Sequence, residues 1–423
     1  MVARFFTAII VLLLVCVNCA TAQDIKRGKL KQFDLEKKTI VITHEGQDLE
    51  IQLTDQTKVL GSRGATLAER FEGVKPGADI FFRAIEKDGQ RVLDGLKLAG
   101  NDPPPGGQPK GNNPGGNNNG QPASPPHTHL KPLAELGTDK YNGFVGGFYP
   151  GGENKRPSAH DEAGLKLAAE VQPRNAKGEP DPAGKIVLLS VGMSNTSQSS
   201  DGFRAQLQNE SKKNPSLVFV NGAQGGMTAA AIQDPNDGRR GAQYWNTVDE
   251  RLKQAGVTRE QVQAIWIKQA DAGPSQGFPG YAQTLQAELA KIVQIFPTRF
   301  PNAKLVYLSS RTYGGFAKSR LNPEPYAYES GFAVKWLIEQ QITGDAALNF
   351  NPEKGPVKAP WLSWGPYLWA NGSTPRADGF HYEEADFDRD GTHQSHSGQR
   401  KVGTLMLNFF KTDSTTKRWF VGE

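Results

Sequence analysis

The sequence predicts a doubly wound, flavodoxin-like α/β domain built on a parallel sheet, preceded by a small β-barrel-like domain and a disordered linker. Three observations predict it. Four near-continuous apolar runs lie between residues 185 and 310, with helical patterns between them. Residues 24–99 alternate apolar and polar side chains with turn signals. Between these two regions, residues 100–129 are dense in Pro, Gly and Asn and poor in apolar residues.

The chain opens "MVARFFTAIIVLLLVCVNCATAQ". Arg4 precedes an apolar run from Phe5 to Val17, and Ala20-Thr21-Ala22 has the small-x-small pattern of a signal-peptidase site. The apolar run is shorter than the roughly 20 residues that span a bilayer. This predicts a signal peptide over residues 1–22, cleaved after Ala22, and a periplasmic or secreted protein. Cys16 and Cys19 are the only cysteines. Both fall in the leader, so the mature chain is expected to lack disulfides and thiolate chemistry. Neither follows the small residue expected before a lipidated cysteine.

Among 423 residues, 49 are basic and 44 acidic. That surplus is small, and no basic-aromatic cluster accompanies it, which argues against a nucleic-acid partner. Nothing after residue 22 is apolar enough to cross a membrane.

In residues 24–99, "GKLKQFDLEKKTIVITHEGQDLEIQLTDQTKVL" reads as short strands with a hairpin at Glu45-Gly46. "TLAERFEGV" reads as one short helix, and two more strands flank Asp88-Gly89. His44, alone in a strand-like stretch, is read as structural. In the linker, His127 and His129 lie two apart with no cysteine or acidic partner near, and are read as solvated.

From about Leu130, "KIVLLSV" (185–191), "SLVFVNG" (216–222), "VQAIWIK" (262–268) and "KLVYLSS" (304–310) have the composition of strands buried on both faces of a parallel sheet. "YAQTLQAELAKIVQIF" (281–296) repeats Leu285, Leu289, Ile292 and Ile295 at helical spacing. In such folds ligands bind beyond the carboxyl ends of the strands, so chemistry is sought in the loops that follow them.

Three stretches stand there. "VGMSNTSQSS" puts Gly192 two residues before Ser194 at a strand-to-loop turn. "NGAQGGMTAA" carries Gly222, Gly225 and Gly226, whose backbone N–H groups can approach a ligand closely. "DRDGTHQSHSGQRKVG" (388–403) places Asp390 and His393 three apart, so the carboxylate can fix one imidazole nitrogen and leave the other free as a base. The residues that follow have the pattern of an amphipathic helix.

This order of motifs resembles the SGNH (GDSL-like) hydrolase superfamily over residues 180–412, and "GMSN" is similar to the Gly-Gln-Ser-Asn elbow of its carbohydrate-acetylesterase branch. The resemblance implies Ser194 as nucleophile, His393 as general base and Asp390 as its orienting partner. It further implies an oxyanion hole in which the N–H of Gly226 joins that of Ser194. The third block departs from the family's Gly-x-Asn-Asp. Here it is "KQADAG", with Ala270 or Asp271 in place of the oxyanion asparagine and Gln269 as the nearest amide that could substitute.

A rival reading of the last stretch is a calcium loop. Asp386, Asp388, Asp390 and Gly391 match the first half of an EF-hand, but Ser397 stands where the closing Glu belongs; a plain surface loop is the third reading. Arg311, at the end of the fourth strand, is a candidate for contacting a substrate oxygen or for pairing with a structural carboxylate. Trp361, Trp364 and Trp369 are read as core rather than as a sugar-stacking surface. His160, His381 and His396 lack spaced ligand partners. The expected function is an exported serine esterase that deacylates, plausibly deacetylates, a carbohydrate through an acyl-enzyme with no metal or organic cofactor. The competing class is a non-catalytic carbohydrate- or surface-binding protein on a degenerate fold of the same kind.

Overall fold

A computed structural model describes residues 26–44, 46–59, 66–72, 74–87, 90–98 and 130–422. Residues 1–25, residues 99–129 with His127 and His129, and Glu45, Asp88 and Gly89 lie outside the described residues. The chain divides into two compact units, residues 1–117 and 118–423.

In the first unit the strands are β1 (Lys26–Asp34), β2 (Thr39–His44), β3 (Gln47–Gln52), β4 (Lys58–Val59), β5 (Asp79–Lys87) and β6 (Gln90–Leu98), with helix α1 (Leu67–Phe71) after β4. They form one sheet in the order β3-β2-β1-β5-β6-β4. A parallel contact between Gln52 of β3 and Val92 of β6 brings the ends of the sheet together in a barrel-like curl, with β4 paired only to β6. The alternation seen in the sequence turns Leu30, Ile40, Ile42, Ile51, Ile80, Phe82, Leu93 and Leu96 inward. Thr66 and Glu69 cap α1 reciprocally, and Leu67 and Phe71 are buried. His44 binds the Arg27 carbonyl and sits edge-on to Phe82, a structural role.

The second unit begins with α2 (Leu133–Leu136), the short hairpin β7 (Lys140–Tyr141) and β8 (Phe144–Val145), and α3 (Ser158–Ala169). Then come β9 (Ile186–Gly192), α4 (Ser194–Gln208), β10 (Leu217–Asn221), α5 (Ala229–Ile232), α6 (Arg240–Gln254), β11 (Val262–Lys268), α7 (Gly280–Arg299), β12 (Leu305–Ser309), α8 (Tyr326–Ile342), β13 (Trp361–Trp364) and α9 (His396–Thr412). Strands β10-β9-β11-β12-β13 make a five-stranded sheet in which every pairing is parallel. Every residue of β9, β11, β12 and β13 is buried, which is why β9, β11 and β12 read as continuous apolar runs.

The four apolar runs in the sequence correspond to β9 to β12, and the 281–296 pattern to α7. Strand β13 was not anticipated, because "WLSW" is short and aromatic. Trp361, Trp364 and Trp369 are 0%, 3% and 0% exposed, so all three belong to the core.

Register sets the site. Lys268, the last residue of β11, lies beside Gly192 at the end of β9 and beside Ser309 at the end of β12. The carboxyl ends of the three central strands are therefore level. Helices α4 and α9 pack backbone to backbone at two glycines: a Cβ on Gly202 would lie 2.0 Å from the Gln399 carbonyl oxygen, and one on Gly403 would lie 2.5 Å from the carbonyl of Gly202. No helix among the described residues is long and apolar enough to cross a membrane.

Candidate active site

The turn from β9 into α4 is made possible by Gly192. A Cβ there would sit 2.3 Å from both the Lys268 carbonyl oxygen and the Thr196 hydroxyl, so no larger residue fits. Met193 is extended, and Ser194 is the first residue of a 15-residue helix. The N–H groups of Thr196 and Ser197 both bind the Met193 carbonyl, which among the described residues leaves those of Ser194 and Asn195 as the donors of the first turn without a partner. Ser194 thus combines a half-buried position on a tight turn with the positive end of a helix.

The glycine loop after β10 is pinned against this turn, since the Gln224 N–H binds the Gly192 carbonyl at 3.0 Å. A Cβ on Gly225 would lie 4.0 Å from that of Ser194, so the loop passes directly beside the serine. Gly226 adopts φ +73°, a left-handed conformation that glycine tolerates, and its carbonyl accepts from the Arg240 guanidinium.

From the other side comes the loop before α9. Asp388 N–H binds the His393 carbonyl at 2.8 Å, and Gly391 N–H binds the Asp388 carbonyl at 2.8 Å, folding the segment into a tight turn. Ser395 caps α9 through the Gly398 N–H. His393 Nε2 lies 2.8 Å from Ser194 Oγ. His393 Nδ1 lies 2.5 Å from Asp390 Oδ2, while Asp390 Oδ1 accepts the N–H groups of Thr392 and His393, both at 2.9 Å. Because the ionised carboxylate only accepts, the ring proton belongs on Nδ1, and Nε2 presents its lone pair to the serine hydroxyl. Partial burial pushes the Asp390 carboxyl up, but its bonds to the imidazole and to two backbone N–H groups outweigh this and hold it below the usual range.

Helix α4 is stitched to the histidine segment at three further points. Asn195 Nδ2 donates to the Thr392 carbonyl at 2.7 Å, Gln394 N–H donates to Gln198 Oε1 at 3.0 Å, and Ser199 Oγ donates to Gln394 Oε1 at 3.2 Å.

The third block behaves differently from the sequence reading. Gln269 was expected to offer its amide to an oxyanion. Instead Nε2 donates to the Met227 carbonyl at 2.9 Å and Oε1 accepts the Ala270 N–H at 3.0 Å. A buried amide satisfies the backbone groups around it, and here it braces the turn that carries Gly226. Asp271 does not face the serine region with a free carboxylate: Oδ1 accepts the Ala230 N–H at 3.0 Å. Burial and the adjacent Asp271 carboxyl together raise the pKa of Glu288.

Arg311 is 3% exposed, and its Nε has no hydrogen-bond partner among the described residues. Burial lowers its pKa to about 10. Glu324, the structural carboxylate that after Tyr281 most opposes this lowering, is bonded instead to Gly314 N–H at 2.8 Å, Tyr328 N–H at 3.0 Å and Trp369 Nε1–H at 2.7 Å.

The aspartates of the calcium reading do not converge. Asp386 binds Lys401 Nζ at 2.5 Å, the Glu383 N–H at 2.8 Å and Ser397 Oγ at 2.8 Å, whereas Asp390 serves His393. His160 binds the Leu362 carbonyl and stacks on Trp361. His381 lies against the Gly379 carbonyl and Glu383, and His396 is the first residue of α9. Sequence reasoning missed Lys268, whose only hint was a basic residue ending the otherwise apolar "VQAIWIK" run, and Asn195, read only as part of the elbow.

No family model and no curated protein matches this chain. Among solved structures, a protein described as an acylhydrolase from Bacteroides fragilis is 11% identical, over 60% of this chain and 97% of that one, with a TM-score of 0.33. A lipase from a goat rumen metagenome is 11% identical over 53% of this chain and 97% of that one, with a TM-score of 0.32. Silver-bound CusF from Escherichia coli is 21% identical over 18% of this chain and 96% of that one, with a TM-score of 0.14. At such identities and TM-scores none of these likenesses bears on function.

Proposed function

We propose that this protein is a serine esterase that deacylates its substrate through an acyl-enzyme on Ser194. The observation that carries the reading is the unbroken chain of contacts from Ser194 Oγ to His393 Nε2, 2.8 Å, and from His393 Nδ1 to Asp390 Oδ2, 2.5 Å. These are the spacings at which a hydroxyl passes its proton to a base held by a third group.

Ser194 Oγ attacks the acyl carbon as His393 Nε2 takes its proton. Asp390 stabilises the imidazolium that results. The negative charge that develops on the acyl oxygen meets the N–H groups of Ser194 and Gly226, the latter held in place by the Gln269 brace on Met227. The tetrahedral species collapses as the imidazolium returns its proton to the leaving alcohol. Water then enters, gives a proton to His393 and releases the acid, restoring the Ser194 hydroxyl.

With helices between successive strands and the strand order already given, we read the domain as doubly wound, which accounts for a site at the carboxyl ends of the strands. The acyl group is read as acetyl on a carbohydrate, from the similarity of Gly192-Met193-Ser194-Asn195 to the elbow of carbohydrate acetylesterases. Arg311, buried and without a bonded carboxylate among the described residues, is the group offered to a substrate oxygen. Export rests on the leader-like first 22 residues.

The test is release of p-nitrophenol from p-nitrophenyl acetate by the purified protein, with loss of release in Ser194→Ala. A second reading, a non-catalytic carbohydrate-binding protein, draws on the third block, whose amide is committed to backbone. It requires wild type and Ser194→Ala to be equally inert.

A further inference from the structure

Lys268 is a cost that the fold does not need. It is 1% exposed, and among the described residues no carboxylate bonds it, so burial disfavours its charged form. Among the described residues its Nζ has one hydrogen-bond partner, Asn195 Oδ1. Its nearest charged neighbour in effect is Arg311, which repels it; burial first, and Arg311 second, push its pKa well down. An apolar side chain would fill the end of β11 at lower cost.

We propose that Lys268 is a positioning residue for the reaction at Ser194, acting through Asn195 to fix the histidine segment against the nucleophile helix.

The chemistry of an amide explains why a donor is needed there. Asn195 has one accepting and one donating end, of similar shape. Lys268 Nζ offers N–H donors whether charged or neutral, and it donates to Asn195 Oδ1, favouring the orientation in which that oxygen faces β11. Nδ2 is then turned to the Thr392 carbonyl, 2.7 Å away, one residue before His393. Thr312 Oγ1, at 3.5 Å from the same Oδ1, is too distant to impose the orientation by itself. The Thr196 hydroxyl, bonded to the Lys268 carbonyl, ties the first turn of α4 to the same strand end. Nucleophile, base and strand end are thus joined through a single amide whose direction Lys268 sets.

This inference rests on the proposed esterase, and the experiment separates the two. Lys268→Met, Asn195→Ala and the double variant are compared with wild type for kcat, KM and thermal melting. Lys268→Met is expected to melt at or above the wild-type temperature, to lose roughly 10–100-fold in kcat with KM within about twofold, and to add nothing to the loss in Asn195→Ala. A merely structural lysine would lower the melting temperature and leave kcat per folded molecule unchanged. Wild-type kcat in folded Lys268→Met, or losses that multiply in the double variant, would overturn the proposal.

If Lys268→Met does not fold, Lys268→Gln keeps an N–H2 donor. It should fold and remain more active than Asn195→Ala; equal or lower activity contradicts the assignment. If wild type hydrolyses no ester, the esterase reading falls, and positioning is read instead from the NMR signal of the His393 Nδ1 proton. That signal should broaden or move upfield in Lys268→Met, and an unchanged signal would refute the role.

Discussion

Asp390 shows how a short spacing can define a residue's work. Three positions from His393, it holds the ring nitrogen with one oxygen and two backbone N–H groups with the other. Replacement by asparagine keeps the shape but offers an N–H where a carboxylate must accept, favouring the wrong tautomer. Asp390→Asn should therefore lower kcat by about 10³–10⁴ with little change in melting temperature; a loss under tenfold in a steady-state assay would remove Asp390 from the mechanism. This pair could be read from the sequence because its geometry is local. Ser194 could be read only through its place at a strand end, since a serine in a serine-rich loop carries no signal of its own. The commitment of Gln269 to Met227 and the orientation of Asp271 toward Ala230 could not be read at all, because both depend on which backbone groups a distant loop leaves unsatisfied.

Helices α4 and α9 carry the two halves of the proposed site, and their separation is fixed where Gly202 meets Gly403. In an isolated helix, Gly to Ala would gain about 1 kcal/mol. Here the added methyl of Gly403→Ala would meet the Gly202 backbone at 2.5 Å, which cannot swing aside as a side-chain tip can. Overpacking of this kind costs roughly 1–3 kcal/mol or more, so the net change in a urea melt should be destabilising, with kcat lowered as the helices part. A more stable variant with full activity would show that the contact does not set the site.

Helix α8 offers a pH test. Burial raises Glu329 to about 7, with its bond from Tyr141 opposing and Glu324 adding to the rise. A folded-state value above the unfolded one means the native state holds the proton more tightly. The stabilisation is complete below about pH 4 and is lost as pH rises toward 7. Glu329→Gln, which mimics the protonated acid, should melt near wild type at pH 5 and higher at pH 8, by the equivalent of about 3 kcal/mol at most. Equal differences at the two pH values would count against a protonated Glu329. Strands β9 to β12 and helix α7 were legible because burial on both faces, or on one stripe, leaves a periodic mark. Strand β13 was not, because four residues are too few to show a period.

At the scale of the whole molecule, each unit has its own core: Leu30, Ile42, Phe82 and Leu96 in the first, and the residues around the parallel sheet in the second. Ser194, His393 and Asp390 all come from the second. Insertion of a specific protease site between residues 117 and 130 should therefore let cleavage yield two folded fragments with separate melting transitions, the larger retaining the kcat of the intact chain. Unfolding of either fragment on cleavage, or loss of activity from the larger, would show that the units depend on one another.

The acyl-enzyme is the central claim, and it can be weighed directly. Intact-mass and peptide mass spectrometry after rapid acid quench of the protein with p-nitrophenyl acetate should find one acetyl group, on the peptide that contains Ser194. It should be absent in Ser194→Ala and strongly reduced in His393→Ala. Hydrolysis that continues in Ser194→Ala, or an acetyl group found on another residue while Ser194 stays unmodified, would contradict the account.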